Sequence, residues 1–268
     1  MTDRYAVIGN PISHSKSPLI HKMFAEQTAQ DMSYEAIEAP LEGFAATVQR
    51  LRAEGYKGAN VTVPFKFEAY QLCDRLGDRA RDAKAVNTLL FQDGQILGAN
   101  TDGAGLLADI ENNLNFKLMW KDALLLGAGG AAAGVVWPLF NAGLGVVIAN
   151  RTIEKARLLA EPFTGSGTVY AKRYDELGGK QFDLVINATS SGLTDELPPL
   201  PDGLFKPGAL AYDMMYGRET PFMAFARRQG AALVADGLGM LVEQAAEAFK
   251  LWRGVRPDTR PVLEKLRA

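Results

Sequence analysis

Along the chain, short apolar runs alternate with longer stretches in which apolar residues recur every three or four positions. The first kind predicts strands buried on both faces, the second amphipathic helices. Strands are predicted at residues 4–9, 33–39, 59–62, 85–91, 95–98, 123–126, 145–150, 182–187 and 232–235, with a strand and its following loop across 209–216. Helices are predicted at 19–27, 67–76 and 221–229, and from near Gly103 and Ala131. One further helix carries Leu41, Phe44, Val48 and Leu51 on a single stripe, and the last sets Leu241, Gln244, Ala245, Ala248 and Phe249 on one broad face. Asp93-Gly94 turns the 85–98 stretch into a hairpin. Residues 113–121 read as a crossing into a second domain, and residues 197–201 as a turn-rich surface segment. This alternation predicts an α/β protein with mostly parallel sheets.

The 268 residues suffice for two modest domains with their own cores. Hydrophobic residues make up 47% and charged residues 22%, as in globular proteins. A formal net charge of −2 gives no global field toward nucleic acid. A lone cysteine, Cys73, rules out an internal disulfide framework and suits a reducing compartment. No run approaches the roughly 20 apolar residues of a membrane span, and Thr2 to Arg4 lead straight into the first strand without an apolar signal region. A cytoplasmic protein is expected.

Candidate chemistry begins where the strand at 123–126 breaks at Gly127-Ala128-Gly129-Gly130 before a small-residue helix. Strand, glycine turn and helix follow one another as in a nucleotide-binding βαβ unit. There Gly127 would permit the tight turn, Gly129 would let a pyrophosphate approach, and Ala132 would let the helix pack closely. The helix start would offer N–H groups to phosphate. A turn of purely steric origin is the alternative. The next strand ends in Asn150-Arg151-Thr152, with Lys155 one helical turn on. An NAD site would carry an acid there, whereas Arg151 can pair with a 2′-phosphate, so NADP(H) is the expected cofactor. A solvated Arg151 is the plainer alternative.

The remaining candidates are polar residues at strand ends and loops. Ser13, His14, Ser15 and Ser17 crowd the loop after the first strand and suit a small polar ligand, although Ser17 before Pro18 also reads as a helix cap. Asn60, Thr62 and Lys66 gather where a strand ends at Pro64, the place where open α/β sheets bind ligands. Lys66 as a plain surface charge is the alternative. Asn87 sits inside a predicted strand, Asp102 at a helix start where it also faces Lys66 in one reading, and Gln244 on an apolar helix face. The small polar residues 188–192 suit a place beside a cofactor, and Tyr216 is available to substrate.

Seven segments, in order, resemble the motifs of the shikimate dehydrogenases: residues 9–18, 60–66, 98–103, 127–131, 150–152, 187–192 and 236–244. The resemblance covers nearly the whole chain. It implies a substrate-binding α/β domain over residues 1–102 and a Rossmann-type dinucleotide-binding domain over 103–236. The helical segment 237–268 returns to the first domain, and the active site lies in a cleft between the two. It implies reversible NADPH-dependent reduction of 3-dehydroshikimate to shikimate, on the route to chorismate and the aromatic amino acids. By position, Ser15 and Ser17 hold the substrate carboxylate with Tyr216 nearby. Asn60, Thr62, Asn87, Asp102 and Gln244 line the substrate, and Lys66 is the acid–base residue supported by Asp102. Cofactor positions are Asp78, Gly127, Ala128, Gly129, Gly130, Ala131, Asn150, Arg151, Thr152, Ile153, Glu154, Lys155, Thr189, Met214 and Gly237. No metal, nucleic acid or membrane partner is implied, and a monomer or homodimer is expected.

The implied chemistry is coherent. Hydride delivered to a carbonyl leaves an alkoxide that must be protonated, and a lysine ordinarily carries a proton to give at neutral pH. Two alternatives remain: a paralogue that takes quinate as well as shikimate, and a NADPH-binding sensor without turnover.

Overall fold

The computed structural model describes residues 2–189 and 195–268. Two compact units divide them: residues 1–106 with 241–268, and residues 107–240. Both chain crossings fall four residues beyond the expected 102/103 and 236/237. Residues 241–268 belong to the first unit.

The first unit runs β1 (Asp3–Gly9), α1 (Ser17–Gln27), β2 (Met32–Glu38), α2 (Phe44–Ala53), β3 (Gly58–Val61), α3 (Lys66–Leu72), β4 (Arg75–Leu76), α4 (Asp78–Ala83), β5 (Thr88–Gln92), β6 (Gln95–Ala99) and α5 (Asp102–Ala108). Its sheet has the order β2-β1-β3-β5-β6-β4, with β5 alone running against the others. The β5–β6 hairpin turns at Asp93 and Gly94, both at positive φ (52° and 74°), as the two-residue primed turn requires. Ile8, Phe44, Val48, Leu51 and Phe65 are buried in one core. Leu41, expected on the same stripe, precedes α2 and is 65% exposed. The helix expected over 67–76 stops at Leu72, because Cys73 turns extended and Arg75–Leu76 pair with β6.

The second unit opens with a π-helical turn, Asp109–Asn113, and continues as β7 (Asp122–Leu126), α6 (Gly130–Asn141), β8 (Gly145–Ala149), α7 (Ile153–Ala160), β9 (Val169–Lys172), β10 (Phe182–Asn187), β11 (Phe205–Asp213), α8 (Pro221–Arg228) and β12 (Leu233–Ala235). Its sheet is parallel throughout, in the order β12-β11-β10-β7-β8-β9. That is the Rossmann order, whose direction reverses between β7 and β10 and whose ligands lie at the carboxyl ends beside that switch. Leu124, Leu126, Val185 and Ala211 form its buried centre. The chain returns to the first unit within α9 (Leu238–Arg253) and ends in α10 (Arg260–Arg267).

Candidate active site

In the first unit, β1, β3 and β6 end at the same edge of the sheet, and β5 begins there. Asn60 of β3 stands opposite Thr88 of β5, which stands opposite Ala99 of β6. The residues that follow or precede these positions, Thr62 to Lys66, Asn87 and Asn100 to Asp102, are therefore brought together by register alone. The loop after β1 joins them: Asn10 N–H donates to Val63 O at 3.0 Å, and a Cβ at Gly9 would lie 2.4 Å from the Thr62 methyl.

Lys66 is the first residue of α3 and Asp102 the first of α5. The Lys66 Nζ donates to Asp102 Oδ2 at 2.5 Å, and the two side chains are 11% and 6% exposed. The other oxygen, Oδ1, accepts from Asn87 Nδ2 at 2.8 Å. Asn100 folds the backbone onto this pair, its Oδ1 accepting from Asp102 N–H at 3.0 Å and its Nδ2 donating to Ala85 O at 2.9 Å. Gln244 reaches the same cluster from α9: its Oε1 accepts from Asn87 Nδ2 and from the Thr101 hydroxyl, each at 3.2 Å. Its Nε2 donates to Leu241 O at 3.0 Å. Gly105 lets α9 come this close, because a Cβ there would lie 2.7 Å from Gln244 N. The lone amide on an apolar face thus has its partners.

Asn60 is 5% exposed and its amide is engaged by protein groups. Its Oδ1 accepts from the Tyr34 hydroxyl at 2.7 Å, and its Nδ2 donates to Asn87 O at 3.2 Å and Thr88 Oγ1 at 3.1 Å. Ser13 and His14 are exposed, Ser15 half-buried and Ser17 5% exposed. The capping reading of Ser17 is corrected: it lies inside α1 after Lys16, makes no cap bond, and instead its N–H donates to Ser15 Oγ at 3.3 Å. The helix starts at Ser17, one residue earlier than a Ser17 cap requires, and Pro18 takes its second position.

In the second unit, the glycine loop closes the carboxyl end of β7. Gly127 has φ +104° and passes so near β10 that a Cβ would sit 3.0 Å from Ala188 O. Gly129 faces open space, and no side chain caps the start of α6. Ala132 is fully buried behind it, so the helix packs tightly on the sheet. These features fit a pyrophosphate: free N–H groups, the positive end of a twelve-residue helix and room above them. Ala128, Gly130 and Ala131 complete the loop. After β8, Asn150 Nδ2 donates to Thr152 O at 2.8 Å and pins the turn. Arg151, Thr152, Glu154 and Lys155 are exposed and Ile153 half-buried, and neither Arg151 nor Lys155 forms an ion pair among the described residues. Two unpaired cations at this turn suit a 2′-phosphate.

Beside the switch point, Asn187 ends β10 and organises its neighbours, a part the sequence reading did not assign. Its Nδ2 donates to Asp213 Oδ2 at 3.2 Å and its Oδ1 accepts from the Thr189 hydroxyl at 2.7 Å. Burial pushes the Asp213 carboxyl up, against bonds from Thr220, Met215 and Asn187. Met214 N–H donates to Asn187 O at 2.9 Å, and Gly237 packs on Met214 so tightly that a Cβ would fall 2.3 Å from its carbonyl oxygen. Tyr216 is half-buried after β11. Asp78 is exposed at the start of α4 and bonded to Arg81. Residues 190–192 of the expected polar loop lie outside the described residues. Among the described residues no cluster of three or more His, Cys, Asp or Glu side chains could hold a metal ion, and no helix is long and apolar enough to cross a membrane.

Three family models match the chain: a shikimate dehydrogenase substrate binding domain over residues 7–89, a shikimate/quinate 5-dehydrogenase over 109–194, and a shikimate 5′-dehydrogenase C-terminal domain over 237–267. A shikimate dehydrogenase (NADP(+)) from Methylobacillus flagellatus is 62% identical over 268 residues, which span 99% of each chain. Among solved structures, the Ael1 enzyme of Pseudomonas putida is 52% identical, with a TM-score of 0.91 over 99% of this chain and 98% of that one. The Thermus thermophilus shikimate 5-dehydrogenase in complex with NADP(H) and shikimate is 36% identical, with a TM-score of 0.88 over 99% of both chains.

Proposed function

The chain belongs to the shikimate dehydrogenase family, and we propose from that membership and its site that it catalyses the reversible NADPH-dependent reduction of 3-dehydroshikimate to shikimate. The observation that carries the reading is the buried Lys66–Asp102 pair at the sheet edge. The reduced nicotinamide, when bound, supplies the hydride. Every other part falls to side chains of this chain.

Lys66 gives a proton to the oxygen of the reduced carbonyl and takes it back in the reverse direction. Asp102 holds the Lys66 side chain in place, and Asn87 fixes the carboxylate by its second oxygen. Thr62, Asn87, Asp102 and Gln244 line the substrate ring, and the Ser15 and Ser17 hydroxyls take its carboxylate. Asn60, whose amide already has protein partners, acts behind this surface. The Gly127–Ala131 loop holds the pyrophosphate, and Arg151 with Lys155 holds the 2′-phosphate. Thr189, Met214 and Gly237 shape the cofactor side of the second unit. The protein works on small molecules in the cytoplasm, where a lone half-buried thiol stays reduced.

One assay tests the reading: absorbance of the reduced nicotinamide, with shikimate and with quinate, each with NADP+ and with NAD+. Shikimate with NADP+ is expected to turn over fastest. Faster quinate oxidation would move the chain to the broader paralogue, and cofactor binding without any turnover would make it a sensor.

A further inference from the structure

The Asn87 amide is held in one orientation from both ends. Its Oδ1 accepts from Thr101 N–H at 2.9 Å, and a backbone N–H only donates, so the nitrogen must face Asp102. The same oxygen accepts from the Thr88 hydroxyl at 2.8 Å. Thr88 is wholly buried, and its oxygen in turn accepts from Asn60 Nδ2 at 3.1 Å. That nitrogen is fixed by its second bond, to Asn87 O, which only accepts. Asn60 Oδ1 therefore faces Tyr34, whose hydroxyl donates to it at 2.7 Å. Burial raises the Tyr34 phenol well above its ordinary range, so it stays a donor. A directed line of hydrogen bonds thus runs from Tyr34 through Asn60, Thr88 and Asn87 to Asp102, whose other oxygen takes the Lys66 ammonium.

We propose that Thr88, backed by Asn60 and Tyr34, is a positioning residue for the acid–base pair: its hydroxyl holds the Asn87 amide so that it presents a donor to Asp102. The inference rests on the reading of Lys66 and Asp102 as the reacting pair. Without that hydroxyl, Asn87 Oδ1 keeps only the Thr101 N–H and Asn60 Nδ2 loses an acceptor. The amide then rocks or turns over. Turned over, it sets its oxygen against the carboxylate and pushes Asp102 off the geometry in which it holds Lys66. Thr88 is too deeply buried to act by touching substrate.

The test compares Thr88→Val, which keeps the shape and removes the hydroxyl, with Thr88→Ser, which keeps the hydroxyl. Thr88→Val is expected to lower kcat about tenfold while the KM for NADP+ stays within about twofold, the loss of one hydrogen bond at a reacting group. Thr88→Ser recovers most of the rate. Tyr34→Phe, expected to lower kcat about threefold, decides the matter should Thr88→Val fail to fold. A readout free of turnover is the Asn87 side-chain amide signal in protein carrying 15N-asparagine: shifted in Thr88→Val and Tyr34→Phe, and wild-type-like in Thr88→Ser. An unchanged kcat in Thr88→Val, an equal loss in Thr88→Ser, or an Asn87 signal that stays put overturns the proposal. A wild-type protein that does not turn over shikimate refutes the functional reading instead, and the amide signals still decide the positioning.

Discussion

Lys66 Nζ stands 2.5 Å from Oδ2 of Asp102, and both side chains are almost wholly buried. Burying an ion pair costs desolvation that the mutual attraction repays only with good geometry and further hydrogen bonds, so such a pair is poor evidence for stability. Here one oxygen takes the ammonium and the other the Asn87 amide. Substitution separates the roles. Lys66→Ala is expected to lower kcat about 10²- to 10⁴-fold, the usual worth of a positioned acid, with the KM for shikimate little changed. A variant that keeps near-full kcat would remove Lys66 from the mechanism.

Cofactor choice turns on the end of β8. Arg151 and Lys155 are exposed without an ion pair among the described residues, and Asn150 stands where an NAD site would carry an acid. Arg151→Ala is expected to raise the KM for NADP+ at least about tenfold, the loss of a charge-assisted pair, and to leave the KM for shikimate within about twofold. Equal rises in both constants would show that Arg151 does not read the 2′-phosphate.

A glycine in the second unit gives a stability prediction. Asp109 is fully buried, its Oδ2 accepting from the Tyr212 hydroxyl at 2.6 Å and its Oδ1 from Asn113 Nδ2 at 2.9 Å. A Cβ at Gly239 would fall 1.8 Å from Asp109 Oδ1. Gly239→Ala must therefore push a buried carboxylate off its donors, at a cost of about 2–3 kcal/mol. Urea unfolding reads this directly, and a midpoint equal to the wild type's would mean that the two can be separated at no cost.

Much of the fold and of the site was legible because the signals were local. The glycine break after β7, the apolar runs of β7, β8 and β10, and the Asp93-Gly94 turn each carry their own geometry. What escaped the sequence depends on register. Thr88 looks like an ordinary strand residue until β3 and β5 are paired, and Asn187 looks like a strand end until β11 lies beside it. The edge strand β9 passed unread because it turns Tyr170, 52% exposed, outward and so breaks the apolar run. Ser17 is no helix cap because the helix begins at Ser17 itself, with Lys16 before it, so that its N–H turns to Ser15 Oγ.

His21 supplies the last prediction. Its ring is fully buried, stacked on Tyr34 at 4.1 Å with the planes 10° apart, and neither ring nitrogen has a hydrogen-bond partner. Burial holds it neutral, with its pKa lowered to about 3 against a smaller upward pull from the neighbouring Asn60 side chain, which is engaged elsewhere. The unfolded chain takes up a proton near the ordinary value of about 6.5, and the folded chain only near 3. Between those values the unfolded state binds one proton more, so stability falls with acidification by about 1.4 kcal/mol per pH unit. Above the upper value both states are neutral and the contribution is flat. His21→Phe, which keeps an aromatic ring against Tyr34, is expected to flatten this part of the stability profile between pH 6 and 4, whatever its effect on stability at neutral pH. An identical slope in the two proteins would show that the acid sensitivity does not come from His21.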